Sequence, residues 1–173
     1  MKRANIERLD RLEVGLNQAV VRLHDVRKSS SPRPSFASLG EVLKWVVCLD
    51  GWFWETFGED YQRIRDGDPD GRMIPALRHA RNLAEHSNDL IDLVDVTKGM
   101  QYPIRFPICF HELKWKHADE VPAPTKARRK QRLFQSYIRH LEGILVRETV
   151  RNANEFFSRA KHRFVSTRPQ SQM

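Results

Sequence analysis

Residues 3–27, RANIERLDRLEVGLNQAVVRLHDVR, decide the fold class. Ile6, Leu9, Leu12, Leu16, Val20 and Leu23 recur at three- and four-residue steps, which gathers them into one stripe of an amphipathic helix. The run SSSPRPS (29–35) ends that helix, because Pro32 and Pro34 cannot extend it cheaply. Ser38 and Glu41 have the S-x-x-E spacing of a capping box, which predicts a second helix from near Leu39 to about Arg65. Its aromatic cluster, Trp45, Trp52, Phe53, Trp54 and Phe57, reads as core or interface, and Gly51 marks a kink or a close contact. DGDPDG (66–71) is a turn by composition. A third helix is expected from about Asp70 into the high eighties. A last long helix is expected from Thr125 to Arg163 on the stripe Leu133, Tyr137, Leu141, Ile144, Leu145, Val150, Ala153 and Phe157.

Between the last two helices the character changes. Residues 97–125 hold four prolines and alternate polar with apolar. This predicts an irregular or short extended arm, with Arg105–Trp115 as a hairpin or strand-like piece. The whole reads as an all-α, four-to-five-helix up-and-down bundle. The 173 residues have room for one domain, taken as 1–164, with a flexible tail at 165–173. No apolar run nears the ~20 residues that span a bilayer. MKRANIERLD has no apolar stretch behind its basic residues, so no signal peptide is expected and the location is read as cytoplasmic. Cys48 and Cys109 make no disulfide scaffold, and both read as core.

Net charge is +8, and all of the excess lies late in the chain. Residues 1–121 carry 18 Lys/Arg and 19 Asp/Glu, whereas 122–173 carry 12 Lys/Arg and three Glu. A localised basic field attracts polyanions, nucleic acid above all. Lys126, Arg128, Arg129, Lys130 and Arg132 open the last helix, where cations oppose the helix dipole. That local conflict points to a grip on phosphate backbone.

The third helix reads GRMIPALRHARNLAEHSNDL (71–90). Met73, Ile74, Leu77, Ala80 and Ala84 make an apolar face, with His79, Asn82 and His86 roughly opposite and Arg78 and Arg81 beside them. Polar residues on a solvated face are the bland explanation, but most helices use Lys and Glu there rather than two His and two Arg. Histidine can hold or release a proton near neutral pH. Arginine's fork suits phosphate oxygens and developing negative charge. Asn82, one turn before His86, can orient its imidazole. Together they offer a proton acceptor and a ligand for phosphate. His86 is assigned proton transfer, Arg81 phosphate binding and Asn82 support, with Arg78 and His79 as second-line candidates. Glu85 is expected to pair with Arg81 or Arg78. There is no HExxH and no Gly-rich phosphate loop, so neither metal nor cofactor is expected.

Arg81-Asn82-Leu83-Ala84-Glu85-His86 resembles the R-x4–6-H motif of the HEPN domains (higher eukaryotes and prokaryotes nucleotide-binding), including the Asn after the Arg. The resemblance implies a helical bundle that pairs as a homodimer, so that two motifs line one cleft. It implies a metal-independent endoribonuclease in which 2′-OH attack leaves a 2′,3′-cyclic phosphate. It also implies a toxin or antiviral-defence role, with an antitoxin or regulatory protein as partner. HEPN toxins silenced by nucleotidylation carry a Tyr shortly after the His, whereas here Ser-Asn-Asp-Leu follows His86. FHELKWKHADEVP (110–122) is similar to a stretch of actinobacterial and phage proteins with the same RN-x3-H helix and implies no function. The alternative is a non-catalytic module that binds nucleic acid or another protein.

Overall fold

The computed structural model describes residues 3–26, 32–85, 90–95, 111–122, 124 and 127–166. Helix dominates them. The helices are α1 (Arg3–Val26), α2 (Pro32–Gly67), α3 (Ile74–Ala84), α4 (Arg128–His140) and α5 (Val146–Lys161). A 3-10 turn, Gly71–Met73, leads into α3, and a π turn, His162–Ser166, follows α5. Two short strands, β1 (Ile91–Asp95) and β2 (His111–Trp115), form an antiparallel pair that puts Ile91 opposite Trp115 and Asp95 opposite His111. The all-α bundle is thus present, with a small sheet attached. Among the described residues no helix is long and apolar enough to cross a membrane.

The stripe of α1 buries Leu9, Leu16 and Leu23 against α2. The two helices approach closely at Gly15, where a Cβ would stand 2.7 Å from the Trp45 ring. The aromatic run of α2 is core. Trp52 and Phe53 are fully buried, and Phe53 stacks on Tyr61 and Phe157 at 5.3 and 6.0 Å. Phe57 stacks on Phe164 of the π turn at 4.3 Å. One seam of rings therefore joins α2 to α5. Trp54 remains exposed.

Four boundaries differ from expectation, each for a local reason. α2 begins at Pro32 rather than near Leu39, since a proline in the first turn gives up only an N–H that has no partner there. Ser38 is consequently inside the helix, and Glu41 pairs with Arg22 of α1 instead of closing a cap. The break in α2 falls at Gly58, with φ 55° and ψ −128°, and not at Gly51. A left-handed φ of this kind favours glycine. α3 stops at Ala84, and β1 takes up residues 91–95. The single helix expected over 125–163 is two.

That last division is built by Gly143 and β2. Leu141 and Glu142 both donate their N–H to the Tyr137 carbonyl, and Gly143 follows at φ 70°. This is how a helix ends on a left-handed glycine. The freed turn bonds to the strand: Gly143 N–H donates to Trp115 O at 3.1 Å and Trp115 N–H to Ile144 O at 3.0 Å. Trp115 is fully buried, and its indole N–H donates to Thr149 Oγ1 of α5 at 3.0 Å. The extended reading of Arg105–Trp115 is met at 111–115. The rest of the arm up to 110, Cys109 and the tail beyond 166 lie outside the described residues.

Candidate nucleic-acid interface on α3 and α4

α3 is held between α2 on one side and α4 on the other. It therefore buries residues on more than one face: Ile74, Ala76, Leu77, His79 and Ala80. This corrects the two-faced reading of the helix. His79 is 5% exposed and turns into the bundle, not away from it. Its ring meets the edges of Phe134 and Tyr137 of α4 at 5.6 and 6.0 Å. Nε2 has no hydrogen-bond partner among the described residues. Burial pushes the imidazole's pKa below its ordinary value of 6.5. A neutral ring packed among aromatics is a core residue, and not a support for phosphate chemistry.

Arg78 is likewise committed elsewhere. It pairs with Asp50 of α2, a carboxylate 1% exposed. The same carboxylate accepts the Tyr61 hydroxyl at 2.8 Å and Arg65 Nη1 at 3.2 Å. Burial, reinforced by the Asp50 charge, pushes the Tyr61 hydroxyl's pKa far above its usual value. Arg78 thus pins α3 to α2.

Arg81 and Asn82 keep the outward position. Asn82 is exposed and Arg81 partly so. The Arg81 guanidinium reaches Glu85 one turn on at 2.6 Å, the pairing expected from the sequence. His86 lies outside the described residues, so the Arg81–His86 geometry is not drawn.

α4 carries the basic stretch. Leu133, Phe134, Tyr137 and Ile138 turn inward, while Arg128, Lys130 and Arg132 are exposed. Arg129 lies in the first turn of α4, and Lys126 is outside the described residues. α4 starts after Ala127 with no side-chain cap and no acidic residue in its first turn. Among the described residues neither a side-chain cap nor a first-turn acid therefore offsets the cations at its positive end. Register with α3 follows from two contacts. Arg72, just before α3, shares a groove with Arg139 and His140 near the end of α4. His79, midway along α3, meets Phe134 and Tyr137 further back. Going up α3 means going down α4, so the helices run antiparallel. The basic start of α4 therefore lies toward the carboxyl end of α3, where Arg81 and Asn82 stand. The sequence held all these residues but gave no sign that they share one end of a helix pair.

A larger cavity, about 480 Å³, lies elsewhere, between α1, β2 and α5. Val20, Leu23, Leu113, Val146 and Val150 line it. Its buried acid, Glu112, accepts from Arg147 Nη1 at 3.0 Å. His24, Arg147, Glu148, Arg151 and Asn154 complete its wall.

The buried His79 has a pH consequence. Its folded-state pKa is depressed, so below pH 6.5 the unfolded chain binds the proton more readily and stability falls. His140, depressed by burial and then by Arg139 and Arg72, acts in the same direction. His79→Leu should stay within about 1 kcal/mol of wild type at pH 7.5, because it removes an unpaired buried polar atom. It should also lose less stability between pH 7.5 and 5. Melting temperatures at the two pH values check this, and an undiminished acid sensitivity would remove His79 from the explanation.

Comparison of the chain with protein-family models, with curated proteins and with solved structures finds no match.

Proposed function

We propose that this protein binds RNA across the outer face of α3 and α4 and cleaves it without metal at the carboxyl end of α3. The observation that carries this reading is the antiparallel pairing, which brings the exposed cations opening α4 toward Arg81 and Asn82. Phosphate backbone along α4 would feed one linkage to that end. There the 2′-OH loses its proton to His86 and attacks the adjacent phosphorus. The P–O2′ bond forms as the P–O5′ bond breaks. The leaving oxygen takes up a proton, and the products are a 2′,3′-cyclic phosphate and a 5′-OH. Arg81 neutralises the charge that builds on the phosphoryl oxygens, and Asn82 orients the imidazole. Pairing as a homodimer would supply a second His86 to return the proton. Such a nuclease suits a cytoplasmic toxin or antiviral-defence protein held in check by an antitoxin or regulatory protein.

A second reading, RNA binding with no cleavage, is favoured by the Arg81–Glu85 ion pair, which already engages the proposed phosphate ligand. Incubation with labelled mixed RNA in excess EDTA separates the two. Wild type is expected to cleave, Arg81→Ala and His86→Ala to lose at least about 100-fold in rate, and His86→Ala to keep its RNA affinity. RNA bound but uncut by all three would leave the binding module in place and overturn the nuclease.

A further inference from the structure

The described arginines elsewhere in the fold mostly hold a carboxylate: Arg8, Arg22, Arg65, Arg78, Arg81, Arg147 and Arg159 all do. Arg72, Arg132 and Arg139 do not, among the described residues. These three converge. With Gln135, Ser136 and His140 they line a groove of about 250 Å³ between the end of α2 and α4. One acid, Asp66, is also in the wall, and it is held by Arg65 Nε at 3.1 Å. The carboxyl-end dipole of α4 accounts for Arg139 and His140. It does not account for Arg72 on the 3-10 turn, or for Arg132 two turns back. At about 100° per residue, Arg128, Arg132, Gln135 and Arg139 fall within roughly 60° of α4's circumference, so the groove continues the stripe that opens the helix.

We propose that the Arg72–Arg132–Arg139 groove is a binding site for a phosphoryl group. Three guanidiniums, a hydroxyl, an amide and an imidazole supply donors to a tetrahedral anion from two elements. The volume is below the ~300–1,000 Å³ of pockets that enclose a whole small molecule, so a phosphate enters and the rest of its carrier stays outside. The carrier is either an RNA phosphodiester or a terminal phosphate monoester. For RNA as the polymer, the site rests on the reading above and extends it to the far end of α4.

Calorimetric titration of the full chain with pyrophosphate tests the groove. Wild type should saturate at one site per chain, and Arg72→Gln/Arg139→Gln should bind at least 10-fold more weakly with an unchanged melting temperature. RNA oligomers of one sequence, with a 5′-phosphate or a 5′-hydroxyl, name the source. Tighter binding of the 5′-phosphate points to a monoester and equal binding to the diester backbone. Absence of saturation in wild type, or equal affinity in the double variant, overturns the site. Pyrophosphate binding with no affinity for RNA would uphold the groove and overturn the RNA reading instead.

Discussion

Asp50→Ala should lower the unfolding free energy by about 3 kcal/mol and the melting temperature by about 10 °C. Asp50 is 1% exposed and is the shared partner of Arg65, Arg78 and the Tyr61 hydroxyl. Removing it leaves the Arg78 guanidinium and the Tyr61 phenol without this acceptor and leaves Arg65 with Asp66 alone. Losing one partner of a buried charge pair costs about 3–5 kcal/mol. The low end applies because Arg65 and Arg78 are 15% and 30% exposed and can turn partly to water. Burial alone would lower the Arg65 pKa, but the Asp50 and Asp66 charges more than offset it and raise it. Because Arg78 joins α3 to α2, the loss should also loosen the helix that carries Arg81 and Asn82. Asp50→Asn keeps an acceptor and should cost less. Urea unfolding of the three proteins checks the order, and an Ala variant as stable as wild type would remove Asp50 as the joint between α2 and α3.

How far the sequence reached depends on how many neighbours each element has. α1 meets mainly α2. A helix with one neighbour has one stripe, and Leu9, Leu16 and Leu23 were legible as such. α3 has two neighbours, so His79 reads as outward from its own helix although α4 covers it. No pattern within α3 reveals α4. The two helices at the chain's end share one continuous apolar stripe, Tyr137, Leu141, Val150, Ala153 and Phe157, which hides the break. Gly143 was the available sign, and its role depends on β2 pairing with the turn. β1 is five residues long, too short to compete with the helical pattern before it. Of the candidate site, the basic opening of α4 and the outward Arg81 and Asn82 were legible. The joining of Arg72 to Arg139 and His140 was not, because Arg72 is far from that pair in sequence and meets it only in the fold.

The largest functional effect should come from removing charge at the start of α4. Arg128, Lys130 and Arg132 are exposed, and Arg128, Lys130 and Arg132 have no acid partner among the described residues. Each cation that neutralises a phosphate releases counterion, about 0.7 of an ion per contact on a single strand. Arg128 and Arg132 share one side of α4 and Lys130 lies on the other, so RNA wrapping the start of the helix loses three contacts, a salt slope shallower by about 2 and, near 0.1 M salt, an affinity lower by about 100-fold. Neutral glutamines keep helix propensity, and removing cations from a helix's positive end does not harm the helix. The fold should therefore survive Arg128→Gln/Lys130→Gln/Arg132→Gln, and circular dichroism checks that it does. The most direct measurement is the affinity of wild type and this triple variant for one single-stranded RNA across a salt series. The predicted result is a steep dependence in wild type and a slope reduced by about 2 in the variant. An RNA affinity that ignores salt, or one the triple variant leaves unchanged, would contradict the proposal that this face binds RNA.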